Sequence, residues 1–272
     1  MTEKYISYKY AFSLVELSIV LVILGLLVGG VLTGRSLIHA AELRAVSTEY
    51  TRYFTAVQSF RDKYFALPGD MNNAASFWGA ADGSTGNTAG CATTAGTGTQ
   101  TCNGNGNGVI ENAASSSNEA FRFWQQLANV GLISGNYVGI TQGTTNSSAT
   151  ATNSPASKLA NGYWYSSNLP TQSANGNFFD GTYGNYLALG GLVTNQWPYV
   201  SLFIPEELWN IDTKLDDGKP ATGKIVAAAV SLSLAFCTNA SGTNAQISAN
   251  MAADYNLTVT VERCILFARN LY

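Results

Sequence analysis

Charge is scarce in this chain. Asp, Glu, Lys and Arg make up only 11% of its 272 residues, the net charge is −3, and no basic run exists. Without such a run there is no electrostatic footprint for nucleic-acid phosphates, so nothing in the composition points to a nucleic-acid partner. Histidine is nearly missing, with His39 the single one, and Cys91, Cys102, Cys237 and Cys264 contain no CxxC pair. That argues against a zinc site. An enzyme would need a nucleophile–base pair or a metal cluster. With one histidine, placed just beyond an apolar run, this class is disfavoured and no catalytic residue is expected. Apolar side chains are also scarce over residues 79–118 and 141–161, where Gly, Ala, Ser, Thr and Asn dominate. Such stretches cannot supply a packed core and read as long loops.

What the chain does have is one long apolar run, from Phe12 to Leu32. It is at or near the roughly 20 residues needed to cross a bilayer. Glu16 is its only ionisable side chain. A charge at that depth costs roughly 2.5–3.5 kcal/mol, so it demands a partner. No Lys or Arg lies within reach, but a cut between Ala11 and Phe12 would create an amine one helical turn before Glu16. A secretory signal peptide has a shorter apolar core and a small-residue cleavage site after it, and Thr33–Ala40 offers a poor one. An ordinary signal anchor would leave Glu16 idle, which intramembrane charges rarely are.

Phe12-Ser13-Leu14-Val15-Glu16-Leu17, after a short leader with Lys4 and Lys9, resembles the N-terminal signature of type IV pilins and type II secretion pseudopilins. Ala11 stands where that signature usually has glycine. The resemblance covers about 55 residues closely. It implies cleavage between Ala11 and Phe12 by a prepilin peptidase, N-methylation of Phe12, and pairing of Glu16 with the amine of a neighbouring subunit. It further implies a single-pass inner-membrane protein with a periplasmic C-terminal domain, which then enters a pilus or pseudopilus. Other pilin subunits, the peptidase and the inner membrane are the implied partners. A minor or specialised pilin is the leading expectation; a secretion pseudopilin and a tip adhesin or DNA-uptake pilin are the alternatives. An even number of cysteines in an exported part suits disulfides. Three pairings are possible, and proximity in sequence favours Cys91–Cys102 and Cys237–Cys264.

Beyond Arg35 the pattern becomes amphipathic, with Leu43, Val46, Tyr50, Phe54, Val57, Phe60 and Tyr64 at three- and four-residue intervals. The spacing predicts one helix from Phe12 to about Ala66, ended by Leu67-Pro68. The expected organisation is a leader (1–11), a membrane and assembly half of the helix (12–34), its amphipathic half (35–66), and an exported domain (67–272). Within the last, Asn103-Gly104-Asn105-Gly106-Asn107-Gly108-Val109-Ile110-Glu111 imitates the first part of a calcium loop. Its neutral amides make it a weak one at best, with Asn103, Asn105, Asn107 and Glu111 as candidate ligands; a glycine-rich turn is the favoured reading, and no other cofactor is expected. Ser116 to Glu119 offers a capping box for a helix with Phe121, Trp124, Leu127 and Ala128 on one face and Gly131 beyond it. Pro205-Glu206-Glu207 suits another helix start, and Asp212, Asp216 and Asp217 suit local turn bonds first, with calcium or paired catalytic carboxylates as the alternatives. Residues 162–204, Lys224–Val230, Ser231–Cys237 and Leu257–Phe267 read as strands. The expected class is α+β, a long N-terminal helix on an antiparallel sheet.

Overall fold

Residues Leu14–Tyr64 form one helix, α1, in the computed structural model, which describes residues 13–87, 89–112, 118–145, 147–230 and 233–272. The chain divides into two units, Met1–Glu42 and Leu43–Tyr272. In the described part of the first unit, the large apolar side chains from Leu14 to Ile38 all stand exposed. Gly25, Gly29, Gly30 and Gly34 face open space, with nothing within 4 Å of where a Cβ would sit.

In the second unit the same helix buries Val46, Tyr50, Tyr53, Val57 and Phe60, while Leu43, Phe54 and Tyr64 pack at the margin. The three- and four-residue periodicity therefore maps onto one covered stripe. The helix stops where Phe65 turns to a left-handed backbone at φ 55°, two residues before Leu67 meets Pro68. Two short helices follow, α2 (Ala74–Trp78) and α3 (Ala89–Thr93), and then α4 (Glu119–Asn129).

The sheet comprises β1 (Gly162–Leu169), β2 (Gly184–Gly191), β3 (Ile225–Ala228) and β4 (Ile265–Ala268). Its order is β1-β2-β4-β3 with every neighbouring pair antiparallel. The register runs from Gly162 opposite Gly191 to Leu169 opposite Gly184, and β4 sets Phe267 between Ala188 and Val226. Helices α5 (Pro205–Leu215), α6 (Leu234–Cys237) and α7 (Asn244–Ala249) complete the unit. The α+β arrangement is as the sequence predicts. The covered stripe of α1 meets the sheet through Tyr53, whose ring lies edge-on to Trp164 of β1 at 5.5 Å and to Trp124 of α4 at 5.1 Å.

Three details differ from expectation. Helix α4 starts after Asn118, with Ser116 outside the described residues, and it buries every side chain from Glu119 to Leu127 rather than one apolar face. The disulfide-bearing loop covers its polar side: Arg122 donates to the carbonyls of Cys91 (2.9 Å) and Thr94 (2.8 Å), and Gln126 to that of Cys102 (3.2 Å). Ser231–Cys237 is not a strand over its described residues. Ser233 turns the chain and accepts the Ala235 N–H, so Leu234–Cys237 closes into α6. Leu257–Phe267 contributes only its last part to the sheet. Asn256 takes the Thr258 hydroxyl at 2.7 Å and its backbone N–H at 3.4 Å, and this local turn replaces a ladder despite the alternating sequence.

Candidate functional site

The first site follows from the exposed segment of α1. A helix that satisfies its own backbone groups and presents mostly apolar side chains is the form a chain takes in lipid or against other apolar helices. Its hydroxyls are internally paired as well: Ser18 donates to the Val15 carbonyl (2.8 Å) and Thr33 to that of Gly29 (2.9 Å). Glu16 sits in the first turn, where a carboxylate suits the positive end of the helix dipole. Its Oε2 accepts the backbone N–H of Ser13 at 2.9 Å. The carboxylate is thus held against the residue that follows Phe12 in sequence. Ala11 and Phe12 themselves lie outside the described residues.

Residues 6–32 match the prokaryotic N-terminal methylation motif. This is the signature of type IV pilins and pseudopilins, and the match supports a pilin- or pseudopilin-like N-terminal segment. No curated protein and no solved structure matches the chain significantly. The match ends at residue 32, within the exposed segment and before the unit that begins at Leu43. Together with the apolar helix it fits an inner-membrane-anchored protein.

The cysteines pair as Cys91–Cys102 and Cys237–Cys264, with Cα separations of 5.9 and 5.2 Å. The first closes the loop that covers α4; the second joins the end of α6 to the residue before β4. All four sulfur-bearing residues are fully buried.

The asparagine–glycine run does gather its candidate residues, but with N–H donors pointing inward. Gly106 and Asn107 donate to Asp70 Oδ1 at 2.7 and 3.1 Å, and Gly108 to Oδ2 at 2.8 Å. Asn105 and Glu111 donate their backbone N–H groups to the fully buried Glu119 carboxylate at 3.0 and 2.9 Å. The loop is an anion-binding nest filled by the protein's own carboxylates. The amide oxygens of Asn103, Asn105 and Asn107 accept the N–H groups of Ala75, Asn107 and Val109, and the Asn105 and Asn107 amide nitrogens donate to Glu111. A cation cage needs those oxygens turned the other way. Burial raises the Asp70 carboxyl above its ordinary range, and the N–H bonds from Gly108, Gly106 and Asn107 pull it back. The glycine at 104 is needed because its backbone lies against that of Asp70, leaving no room for a Cβ.

Asp212, Asp216 and Asp217 also converge, with one oxygen of each within 4.8 Å of the others. Each is engaged locally. Asp212 accepts from Tyr255 Oη (2.9 Å) and the Gly218 N–H (3.3 Å); Asp217 accepts from the Lys219 N–H (2.9 Å) and Thr222 Oγ1 (2.6 Å). Asp216 accepts from the backbone of Lys224 and Ile225. Burial pushes the Asp212 carboxyl up to about 7, against the hydrogen bonds from Tyr255 and Gly218, with Asp217 and Asp216 adding to the rise. These bonds close the turn between α5 and β3.

Two residues that sequence reasoning passed over organise the domain. Asp70 appears in the sequence only as the last residue of a helix-breaking Leu-Pro-Gly-Asp stretch, and its nest lies more than thirty residues on. Glu49 falls between apolar positions of α1 and reads as solvent-facing. It is buried instead, accepting from Ser157 Oγ (2.6 Å), the Lys158 N–H (2.9 Å) and Trp164 Nε1 (2.8 Å). No short-range pattern marks either one.

Proposed function

We propose that this chain is a filament subunit of the type IV pilus class, a minor or specialised pilin that waits in the inner membrane and polymerises after its leader is removed. The observation that carries the proposal is the methylation motif lying on a helix segment whose apolar side chains are all exposed. In this reading the peptidase cuts between Ala11 and Phe12 and Phe12 is N-methylated. The unit from Leu43 onward lies in the periplasm and later on the filament surface. Assembly exchanges lipid for helix–helix contacts, and Glu16 pairs with the Phe12 amine of a neighbour. An unpaired charge in that apolar core is costly, so the pair sets which subunits dock and in what register. The role is structural, and the chain performs no reaction of its own. The same motif serves secretion pseudopilins, which is the second reading.

The test is Glu16→Val in the producing cell. The variant is expected to be cleaved, to remain in the membrane, and to be lost from sheared surface filaments. Processed variant entering filaments at the normal level overturns the assembly role. Mass spectrometry of the wild-type N-terminus is expected to find N-methyl-Phe12; an intact Met1 overturns the processing step. Recovery of wild-type protein only in filaments that require a secretion system selects the pseudopilin reading.

A further inference from the structure

The asparagine–glycine run is chemically fragile, and the fold holds it closed. In an Asn-Gly pair the backbone nitrogen of glycine attacks the asparagine side-chain carbonyl carbon. A C–N bond forms, the side-chain nitrogen leaves as ammonia carrying the proton lost by the backbone nitrogen, and a cyclic succinimide results. Water then opens the ring to aspartate or isoaspartate. Glycine lacks the side chain that would hinder the attack and lets the backbone reach the needed conformation. Asn103-Gly104, Asn105-Gly106 and Asn107-Gly108 are three such pairs in succession, and Asn105 and Asn107 are exposed to water.

We propose that Asn105 and Asn107 form a latent succinimide-forming modification site, and that Asp70 keeps it closed. Both attacking nitrogens are committed to this one residue. Gly106 N–H donates to the Asp70 carbonyl (2.9 Å) as well as its Oδ1 (2.7 Å), and Gly108 N–H donates to Oδ2 (2.8 Å). Attack requires the nitrogen to lose its proton and turn toward the side chain. A carboxylate bonded to that proton opposes both steps, because it holds the donor in place and repels negative charge on nitrogen. The asparagine side chains are fixed too, each with its oxygen on a backbone N–H and its nitrogen on Glu111. Opening the loop from Asp70 therefore exposes two reactive pairs together. Asn175-Gly176 provides a control elsewhere, since the Gly176 N–H is held by Ser248 Oγ at 2.8 Å and not by Asp70.

The experiment follows isoaspartate by peptide mapping of the full chain in detergent at mildly alkaline pH. Native wild-type protein is expected to retain Asn105 and Asn107, while the urea-unfolded chain converts both. Folded Asp70→Asn, with both disulfides formed, is expected to convert them roughly tenfold faster or more, the scale of losing a charge-assisted hydrogen bond, with Asn175 unchanged. Conversion in native wild type as fast as in the unfolded chain overturns the proposal, as does a folded Asp70→Asn that converts no faster than wild type. Amide hydrogen exchange of wild-type Gly106 and Gly108 decides the matter if the variant does not fold: protection is expected, and exchange at unprotected rates overturns the guard.

Discussion

One helix carries two opposite solutions to apolar surface. From Leu14 to Ile38 its large apolar side chains are exposed; from Val46 to Phe60 the stripe of Val46, Tyr50, Tyr53, Val57 and Phe60 is buried. Each stretch also holds one notable carboxylate. Glu16 is exposed and, among the described residues, accepts from the nearby Ser13 N–H, whereas Glu49 is buried and takes three donors from distant parts of the chain. The difference lies in what each stretch is built to meet. The second finds its sheet within the same chain. The first has no partner among the described residues, which suits the lipid and the neighbouring subunit of the proposed function.

The comparison breaks most visibly under truncation of a large side chain. Tyr53→Ala removes the ring between Trp124 and Trp164 and should cost about 3–5 kcal/mol of unfolding free energy, as aromatic-to-alanine changes in cores do. Leu21→Ala, in the exposed stretch, should leave the thermal unfolding of the detergent-held protein unchanged. Urea or thermal denaturation followed by tryptophan fluorescence reads both. Equal losses would mean that the exposed stretch is packed in solution after all.

A smaller contrast separates the two carboxylates. Glu49→Leu strands the buried Trp164 indole N–H and takes the acceptor from the half-buried Ser157 hydroxyl and from the Lys158 N–H, at a cost of about 2–3 kcal/mol. Glu16→Leu strands one exposed backbone donor that water can satisfy, so stability should stay within about 0.5 kcal/mol. The same denaturation measurements apply. If Glu16→Leu proved as costly as Glu49→Leu, Glu16 would be a fold-holding residue rather than one kept for a neighbour.

The boundary between the two regimes was legible because it changes hydrophobic period. A continuous apolar run gives way to a 3.6-residue stripe, and both are local signals that burial then obeys. The helix at Pro205 was legible from its proline and the two acids behind it, and the strands around Tyr165 and Leu187 from aromatic and apolar runs broken by glycine. What stayed hidden depends on residues far apart in sequence. Glu49 meets Trp164 across 115 positions, and Asp70 meets Gly106 across 36, so no window contains both partners. The misread strand at Leu257 shows the converse. There the alternation is real, yet Leu257 and Val261 are exposed and the asparagine before them supplies an easier local bond.

The finest test concerns Phe65, which carries an exposed apolar side chain into the buried regime. It is 94% exposed and sits at φ 55°, closing α1 by donating its N–H to the Arg61 carbonyl at 2.8 Å. A residue with a Cβ pays about 1–2 kcal/mol in that backbone region, whereas glycine adopts it freely. Glycine in turn loses about 0.5–1 kcal/mol more on folding through the flexibility of its unfolded chain. Phe65→Gly should therefore raise stability slightly, by up to about 1 kcal/mol, because an exposed ring contributes no packing to lose. A rise in the midpoint of denaturation would show that exposure, not membership of one stretch or the other, decides whether an apolar side chain on this helix matters to the fold. A loss beyond about 1 kcal/mol would instead place the Phe65 ring in contact with the domain in solution and move the edge of the buried stripe past the helix end.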